Sequence, residues 1–507
     1  MKKRILAALV ASAAVLSLAG CNTDDNNSSS TPGNSGAGNS NAGDSTPGNS
    51  DAGNAGNDNA PDYSNFVVDK NNPQLIDTGI KPSDSEGKVI NIWAWNDEFK
   101  GFFDKYYKVP DGYTVKWTIN PSDDGVYQQK LDEALFAQDS AAADDKIDIF
   151  LAEADYILKY VDSEYTKNVA DIGFSNASTI YSYTADACTD SNGVQKGMSF
   201  QCCPAGLIYR RSIAKDVLGT DDPAEVQEAL SSWDKFEQVA SKAKDKGYLM
   251  TPSFAETYRT FSNNVSSAWV DADGNVNVDP QIKAWIKQTK DFMDKGYTID
   301  DGIWGDEKNS HMFNTGKAMC FFGPAWYYNF SMGNAKDQQK DANGNVIADS
   351  PYGERNTVGD WGLCVGPQSY FWGGTWLLVG AQTDNPEIVA DIMNAFQSNE
   401  AVLKQMVEID SQFVNNTAIN DSYTNDPNFG NELLGGQNDW AIFAEGAKNI
   451  QLKYATGYDQ LLNEKLQDNL KDYFKGTVDL DTAWGNYVAT INEAYAELKL
   501  PEKLTLD

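Results

Sequence analysis

Alternating apolar and polar positions predict three strands at the start of the folded chain. They fall at 89–95, 113–119 and 146–151, and the segments between them, 99–107 and 127–138, repeat apolar residues at helical spacing. A strand–helix–strand–helix–strand order favours a parallel sheet with right-handed crossovers. The folded part therefore begins, near residue 62, as an α/β domain.

The same rhythm restarts near residue 199. It predicts strands at 207–209, 361–365 and 377–379, and helices at 386–397, at 400–409 and over most of 449–498. Another helix begins after Ser232, a plausible N-cap. The apolar run 318–322 is bounded by turn residues, which favours a strand buried on both faces of a parallel sheet. With 507 residues, the chain is long enough for two such domains.

Polar and aromatic side chains gather where the predicted strands end. They are Asn96, Asp97, Glu153, Asp155, Trp326, Tyr327 and Tyr328. Ligands of open α/β sheets bind beyond the carboxyl ends of the strands, and aromatic rings there can stack on a flat, partly apolar ligand. The alternative interpretation is an aromatic cluster packed inside a large core.

The N-terminus has the pattern of a bacterial lipoprotein leader. A basic start (residues 2–4) precedes an apolar run at 5–18 that is too short to span a bilayer as a mature helix. Leu-Ala-Gly-Cys at 18–21 then predicts cleavage before Cys21 and acylation of that cysteine, which would anchor the protein to a membrane. The alternative is an ordinary secretory signal followed by a chance cysteine.

Residues 22–62 predict a flexible tether. They contain only Asn, Thr, Asp, Ser, Pro, Gly and Ala, a composition that cannot bury enough apolar surface to fold. A chain of that length spans roughly 35 Å on average. We expect it to hold a folded domain close to the membrane without touching it.

The charge of the chain narrows the ligand class. The formal net charge is −33, and it becomes more negative once the cationic leader residues are removed. Such acidity argues against nucleic acid and against an anionic lipid surface as partners. A neutral or cationic ligand is favoured over an anionic one.

Several catalytic and metal sites are disfavoured. The chain has one histidine, His311, so catalytic triads and zinc sites built on histidine are nearly excluded. The Asp-rich loop at 271–279 lacks the glutamate that closes a calcium loop, and it and 341–345 are better explained as turns. No cofactor and no metal are expected.

The order of short motifs along the chain resembles the extracellular solute-binding proteins of family 1, which include maltodextrin and multiple-sugar binding proteins. The motifs are the lipobox, WND at 95–97, DIFLAEAD at 148–155, GLIYRR at 206–211, SWDKF at 232–236, FNTGKAM at 313–319, GPAW at 323–326, GG at 373–374, NPEIVAD at 385–391 and QSNE at 397–400. Each motif is weak alone, but their shared order covers about 88–490.

The resemblance implies an α/β, periplasmic-binding-protein-like fold of two hinge-joined lobes with parallel-rich sheets flanked by helices. It implies that 63–198 and 378–430 form lobe one, and that 199–377 and 431–507 form lobe two. The chain would then cross between lobes near 201–203 and again near 377–380.

The resemblance also implies ligand-binding residues at the cleft between the lobes. They are Trp95, Asn96, Asp97, Glu153, Asp155, Tyr209, Trp326 and Tyr327. To these we add Trp304, Trp372 and Trp376, which stand beside strand ends and glycine pairs. Aromatic rings stack on the C–H faces of a sugar, while carboxylates and amides hydrogen-bond its hydroxyls. With 13 tryptophans, several must instead be structural.

The function that follows is a lipid-anchored subunit of an ABC importer, on the outer face of a Gram-positive-type cytoplasmic membrane. It would capture a neutral sugar or oligosaccharide as a monomer and deliver it to permease subunits. Open alternatives are a surface glycan-binding protein without a transporter, and a receptor for peptide or another solute. A glycosidase with two carboxylates is less favoured, because nothing singles out an acid–base pair.

Five cysteines remain besides Cys21, at positions 188, 202, 203, 320 and 364. A disulfide is possible outside the cell, and an odd number leaves at least one thiol unpaired. We hypothesise a link from Cys188 to Cys202 or Cys203. Cys320 and Cys364 lie in predicted strands and fit as small buried apolar residues.

Overall fold

The computed structural model describes residue 63, residues 66–336 and residues 356–506, apart from the side chains of Asn334 and Lys336. The predicted leader, Cys21, the tether and the turn at 341–345 lie outside these residues. The first described residues, 66–88, are irregular and lead into the first strand.

The first sheet has five strands in the order β2-β1-β3-β9-β4. They are β1 (Val89–Ala94), β2 (Thr114–Ile119), β3 (Ile147–Glu153), β4 (Gly197–Ser199) and β9 (Thr375–Val379). The predicted strands are confirmed, and β1 pairs in parallel with β2 and β3. β9 runs antiparallel between β3 and β4.

The second sheet is built around β5 (Pro204–Arg210), which pairs with β6 (Cys320–Pro324), β7 (Trp361–Cys364) and β8 (Tyr370–Phe371). All three pairings are antiparallel, with Leu207 opposite Phe322. The prediction of a parallel strand at 318–322 was therefore wrong in direction and began two residues early. A continuous apolar run reports burial on both faces, which β6 has, and not strand direction.

The helices cover both sheets and make up most of the C-terminal part. They are α1 (Glu98–Tyr106), α2 (Val126–Phe136), α3 (Ile157–Val161), α4 (Ser182–Ala187), α5 (Arg211–Leu218), α6 (Pro223–Ala229), α7 (Trp233–Asp245), α8 (Tyr258–Ser262), α9 (Pro280–Lys295), α10 (Asp306–Ser310), α11 (Tyr327–Phe330), α12 (Gly333–Lys336), α13 (Pro386–Ser398), α14 (Glu400–Asp410), α15 (Thr417–Thr424), α16 (Trp440–Ala447), α17 (Asp459–Phe474) and α18 (Leu480–Ala494).

Local sequence explains where these helices begin and which face they bury. Helix α1 buries Phe99, Phe102, Phe103 and Tyr106, a helical spacing that forms one apolar stripe. Helix α7 begins as predicted after Ser232, whose hydroxyl accepts a hydrogen bond from the backbone of Lys235 at 3.3 Å. The predicted helical region from 449 starts later, at α17, because 448–458 form a loop.

The chain crosses between the two sheets at two points along its strand order. The first crossing, between β4 and β5, includes the predicted 201–203. The second lies between β8 and β9, at 372–374, and not at the predicted 377–380. Residues 377–379 cannot serve as the crossing because they are paired within β9.

Helices α9, α17 and α18 enclose a core of their own, here called the C-terminal core. Trp285, Phe474, Trp484 and Tyr487 are buried in it. The Trp285 and Phe474 rings meet edge to face at 5.2 Å, and the indole nitrogen of Trp484 donates to the carbonyl of Pro501 at 2.8 Å. This packing fixes the C-terminal helices in place.

All five cysteines of the described chain are buried and free. The hypothesis of a link from Cys188 to Cys202 or Cys203 is therefore contradicted. The Cys188 thiol donates instead to the carbonyl of Gly197 at 3.0 Å, and the Cys202 thiol to Oδ1 of Asn415 at 3.4 Å. Burial raises the pKa of the Cys188 thiol to about 12, so it stays neutral and unreactive.

Candidate functional site

Four aromatic side chains form a partly exposed cluster beside the second crossing, here called the aromatic patch. They are Trp304, Trp326, Phe330 and Trp372. Trp304 and Phe330 are 51% and 58% exposed, unlike most large apolar residues of this chain. The ring centroid of Trp372 lies 5.1 Å from that of Trp326 and 5.5 Å from that of Trp304. Clustered, exposed aromatic surface is typical of places where proteins bind a ligand or partner.

Short turns hold the patch together. Trp326 lies two residues after the end of β6, and Trp304 lies two residues before the start of α10. The indole nitrogen of Trp326 donates to the carbonyl of Trp372 at 3.1 Å, which ties the end of β6 to the crossing. Gly373 and Gly374 follow with φ values of 78° and 123°, backbone conformations that disfavour any side chain.

Glu153, the last residue of β3, lies next to this patch. A Cβ added at Gly373 would stand 3.6 Å from Oε1 of Glu153 and 3.6 Å from the indole nitrogen of Trp326. Burial, reinforced by the nearby charge of Asp155, raises the pKa of Glu153 to about 8. At neutral pH its carboxyl group therefore keeps a proton and offers both a donor and an acceptor.

An ion pair links the end of β3 to the second-sheet side. The guanidinium of Arg259 in α8 bonds both carboxylate oxygens of Asp155, at 3.0 and 2.6 Å. The same guanidinium lies 6.0 Å from the ring centroid of Trp372. Two parallel, charge-assisted bonds fix the orientation of Arg259 beside the patch.

A buried lysine lies behind the aromatic patch, on the side facing the protein interior. Lys308 is fully buried, donates to the hydroxyl of Tyr327 and lies 4.7 Å from the centroid of that ring. Burial lowers the pKa of Lys308. Tyr327 is itself fully buried, 6.2 Å from Trp372 by ring centroids, so it touches the patch from its inner side.

Of the predicted residues at the end of β1, Trp95 is half-buried between the rings of Tyr127 and Tyr156, each 6.0 Å away. Asn96 accepts a hydrogen bond from the backbone of Glu98 at 3.1 Å, and Asp97 is exposed. These residues lie at the same edge of the first sheet as Glu153, because β1 and β3 are parallel neighbours.

Two predicted residues lie away from the patch. Tyr209 is fully buried in β5, where its hydroxyl donates to the carbonyl of Asp221 at 2.8 Å. Trp376 is fully buried in β9, and its indole nitrogen donates to the carbonyl of Thr184 at 2.8 Å. Both have satisfied polar groups and no exposed ring face, which is typical of core residues.

Sequence reasoning missed three charged residues at the site: Glu98, Arg259 and Lys308. Burial raises the pKa of Glu98 to about 7, and its carboxylate accepts a bond from Gln201 at 3.4 Å. Its place directly after Asp97 was a usable signal. The sequence around Arg259 and Lys308 gave no such signal, because tertiary packing determines which residues they contact.

The sequence profile of bacterial extracellular solute-binding proteins matches residues 101–431, which is more than half of the chain. The chain belongs to that family. It is therefore a solute-binding protein and not an enzyme, in agreement with the sequence-based prediction. A search of curated proteins returned no match.

Solved structures of similar proteins share the fold of this solute-binding protein. An extracellular solute-binding protein of family 1 is 19% identical with a TM-score of 0.60, covering 80% of this chain and 99% of its own. An ABC transporter associated binding protein of B. animalis subsp. lactis, in complex with β-1,6-galactobiose, is 16% identical with a TM-score of 0.58. The match covers 82% of this chain and 100% of its own. Maltose-bound T. maritima MalE3 is 14% identical with a TM-score of 0.54, and the match covers 80% of this chain and 99% of its own.

These likenesses confirm the predicted α/β, periplasmic-binding-protein-like fold. Within the described residues of the solute-binding protein, no helix is both long and apolar enough to cross a bilayer.

Proposed function

We propose that this solute-binding protein captures a neutral oligosaccharide for an ABC importer. The observation that carries the proposal is the aromatic patch, which lies beside a carboxyl group from the other sheet. A sugar needs both parts, since its C–H faces stack on rings and its hydroxyls need donors and acceptors. The proposed ligand residues are Trp95, Asn96, Asp97, Glu153, Asp155, Trp304, Trp326 and Trp372. Tyr209, Tyr327 and Trp376 are left out because all three are fully buried.

The ligands named for similar structures support a sugar. Galactobiose and maltose are disaccharides, and another similar structure, 14% identical with a TM-score of 0.53, holds D-mannitol. All three are uncharged polyols, which agrees with the acidic composition of this chain.

The ligand would act by favouring one arrangement of two lobes. We propose the predicted lobes with their boundaries moved to the two crossings, so that β4 and β9 fall entirely in lobe one: 63–200 with 375–430, and 204–371 with 431–507. A ligand that touches Glu153 on one side and Trp326 on the other stabilises a closed arrangement that already exists in the unliganded population. The closed protein would then dock on membrane permease subunits.

The lipid anchor is the second part of the proposal. Acylated Cys21 and the 22–62 tether would keep an extracellular receptor at the outer face of the membrane. Mass spectrometry of the N-terminal peptide tests it directly. Loss of residues 1–20 together with acyl chains on Cys21 supports the anchor, and an unmodified Cys21 or another cleavage site contradicts it.

The test of ligand class is calorimetric titration of the chain from residue 22 with neutral oligosaccharides of several linkages and lengths. We expect saturable binding by one series, with no product after overnight incubation. Silence across the panel would contradict the sugar assignment and favour a peptide or another solute. Formation of product would contradict a pure binding function.

A further inference from the structure

A cavity of about 340 Å³ is lined in part by Arg259 and by none of the four residues of the aromatic patch. Its lining includes Asp155, Arg259 and residues from α8, from the 262–269 segment, from the 446–455 loop and from α17. Arg259 therefore touches both spaces, since its guanidinium also lies over Trp372. The volume is within the usual range of about 300–1,000 Å³ for small-molecule sites.

The first fixed polar group in the cavity is Asn463, which is only 5% exposed. Its Oδ1 accepts hydrogen bonds from the hydroxyl of Tyr258 at 2.5 Å and from the indole nitrogen of Trp269 at 3.0 Å. An indole nitrogen only donates, so the atom facing it must be the oxygen. The amide nitrogen of Asn463 is thereby left as an available donor, with no partner among the described residues.

Two neighbouring amides are fixed in the same way. Oδ1 of Asn263 accepts from the backbone of Phe371 at 3.0 Å, which leaves its amide nitrogen available. Nδ2 of Asn264 donates to the carbonyls of Thr260 and Ser369 at 2.8 and 2.9 Å, which leaves its oxygen available. The cavity thus presents donors and an acceptor whose orientations are set by the fold before any ligand arrives.

The cavity lining also contains a serine hydroxyl and several charged side chains. The Oγ atom of Ser262 is buried at the cavity wall with no hydrogen-bond partner among the described residues. The charges of Asp155 and Arg259 neutralise each other in an ion pair. Asp459 accepts from the backbone of Thr456 at 3.1 Å, and burial raises its pKa to about 7. The remaining charged residue of the lining, Lys453, is exposed to solvent, so an uncharged, hydroxyl-rich group fits the buried part of the lining better than an ion does.

We infer that this amide-lined cavity binds a further sugar unit of the same ligand, so that the protein selects oligosaccharides long enough to pass Arg259. The inference rests on the proposed function and deepens it by naming chain length as the property selected. The aromatic patch would hold one part of the ligand by stacking, and the cavity would hold the next by hydrogen bonds.

The test compares short and long members of one neutral oligosaccharide series, by calorimetry, on the full mature chain and on S262L. Leucine at position 262 places a larger, apolar side chain at the wall of the cavity, where the Ser262 hydroxyl makes no hydrogen bond with the described residues. We expect the unsubstituted protein to bind longer members at least tenfold more tightly. S262L should lose that gain while binding the shortest member as before, since one or two lost hydrogen bonds cost about tenfold.

A second variant guards against misfolding of S262L. Gln451 lies on the exposed loop at the cavity rim, so Q451A should fold normally, and we expect it to weaken only the longer ligands. Affinity independent of length, or both variants binding long ligands normally, overturns the inference and leaves the sugar function standing. If no sugar binds the unsubstituted protein, the function and the inference fail together.

Discussion

The aromatic patch and the C-terminal core use the same residue types for different ends. In the C-terminal core, Trp484 is fully buried, its indole nitrogen is bonded to Pro501, and its ring packs 4.9 Å from Tyr487. In the patch, Trp326 is also hydrogen-bonded, but it is only half-buried, and its ring centroid lies 6.0 Å from that of exposed Phe330. In both regions the indole nitrogen is hydrogen-bonded, so that bond does not tell them apart. What distinguishes the candidate site is an exposed ring face beside a carboxyl group.

The largest expected effect is on stability. Trp484→Ala should destabilise the protein by about 3–5 kcal/mol, because it removes a fully buried ring and leaves a cavity. Urea unfolding measures this loss. Below the unfolding transition, ligand affinity should match that of the unsubstituted protein. A large loss of affinity with normal stability would break the comparison.

The next effect is on binding. Trp326→Ala should weaken oligosaccharide binding by about 2–4 kcal/mol, the cost of losing a central aromatic anchor. Calorimetric titration measures it. The matched control is Phe136→Ala, an aromatic residue of α2 that is 62% exposed and outside the patch, which should leave affinity unchanged. If W326A keeps its affinity and loses stability, Trp326 belongs with the core residues.

Glu153 gives a pH-dependent prediction. Its pKa of about 8 in the folded protein lies above its ordinary value of 4.5, so the folded state holds a proton that the unfolded chain has lost. Its contribution to stability is therefore complete below pH 4.5, falls as pH rises to about 8 and then stays constant.

Because Glu153→Gln cannot lose that proton, the E153Q variant should gain about 4 kcal/mol relative to the unsubstituted protein between pH 5 and pH 9. Denaturant unfolding at both pH values measures the difference. The same pH dependence in both proteins would show that Glu153 does not hold its proton.

The smallest expected effect is at the rim of the patch. Trp304→Ala should weaken binding by about 1 kcal/mol, because a half-exposed ring gains less from a ligand than a central one. Thermal unfolding should be unchanged. Trp304→Phe keeps an aromatic face and should recover most of the affinity, whereas equal losses in both variants would exclude stacking as the cause.

Sequence patterns predicted the first sheet well, and they named some of the residues of the candidate site. The strands around Ile92 and Phe150 alternate or run apolar over their full length, so periodicity located them. Periodicity could not give the direction of β6, since an antiparallel strand buried on both faces reads the same as a parallel one. It also could not separate Trp376 from Trp372, because the two flank the same pair of glycines and only packing buries Trp376 completely.

The polar half of the site was harder to predict. Asp155 was expected from its place after a strand, but its partner Arg259 lies 104 residues further along the chain. Nothing local to Arg259 marks it as a partner of β3. The amide-lined cavity could not be predicted from the sequence either. Its amides are oriented by hydrogen bonds to backbone groups of segments far away in the chain.

The bond between the Trp326 indole nitrogen and the Trp372 carbonyl has a mechanical consequence. Trp372 belongs to the strip of chain that passes from one sheet to the other, whereas Trp326 is fixed to the end of β6. Any rotation of one sheet against the other must therefore turn that carbonyl, and either swing the indole with it or break the bond. The proposed stacking surface and the second crossing are thus joined by one hydrogen bond, and a ligand that fixed the Trp326 ring would also restrict a rotation of one sheet against the other.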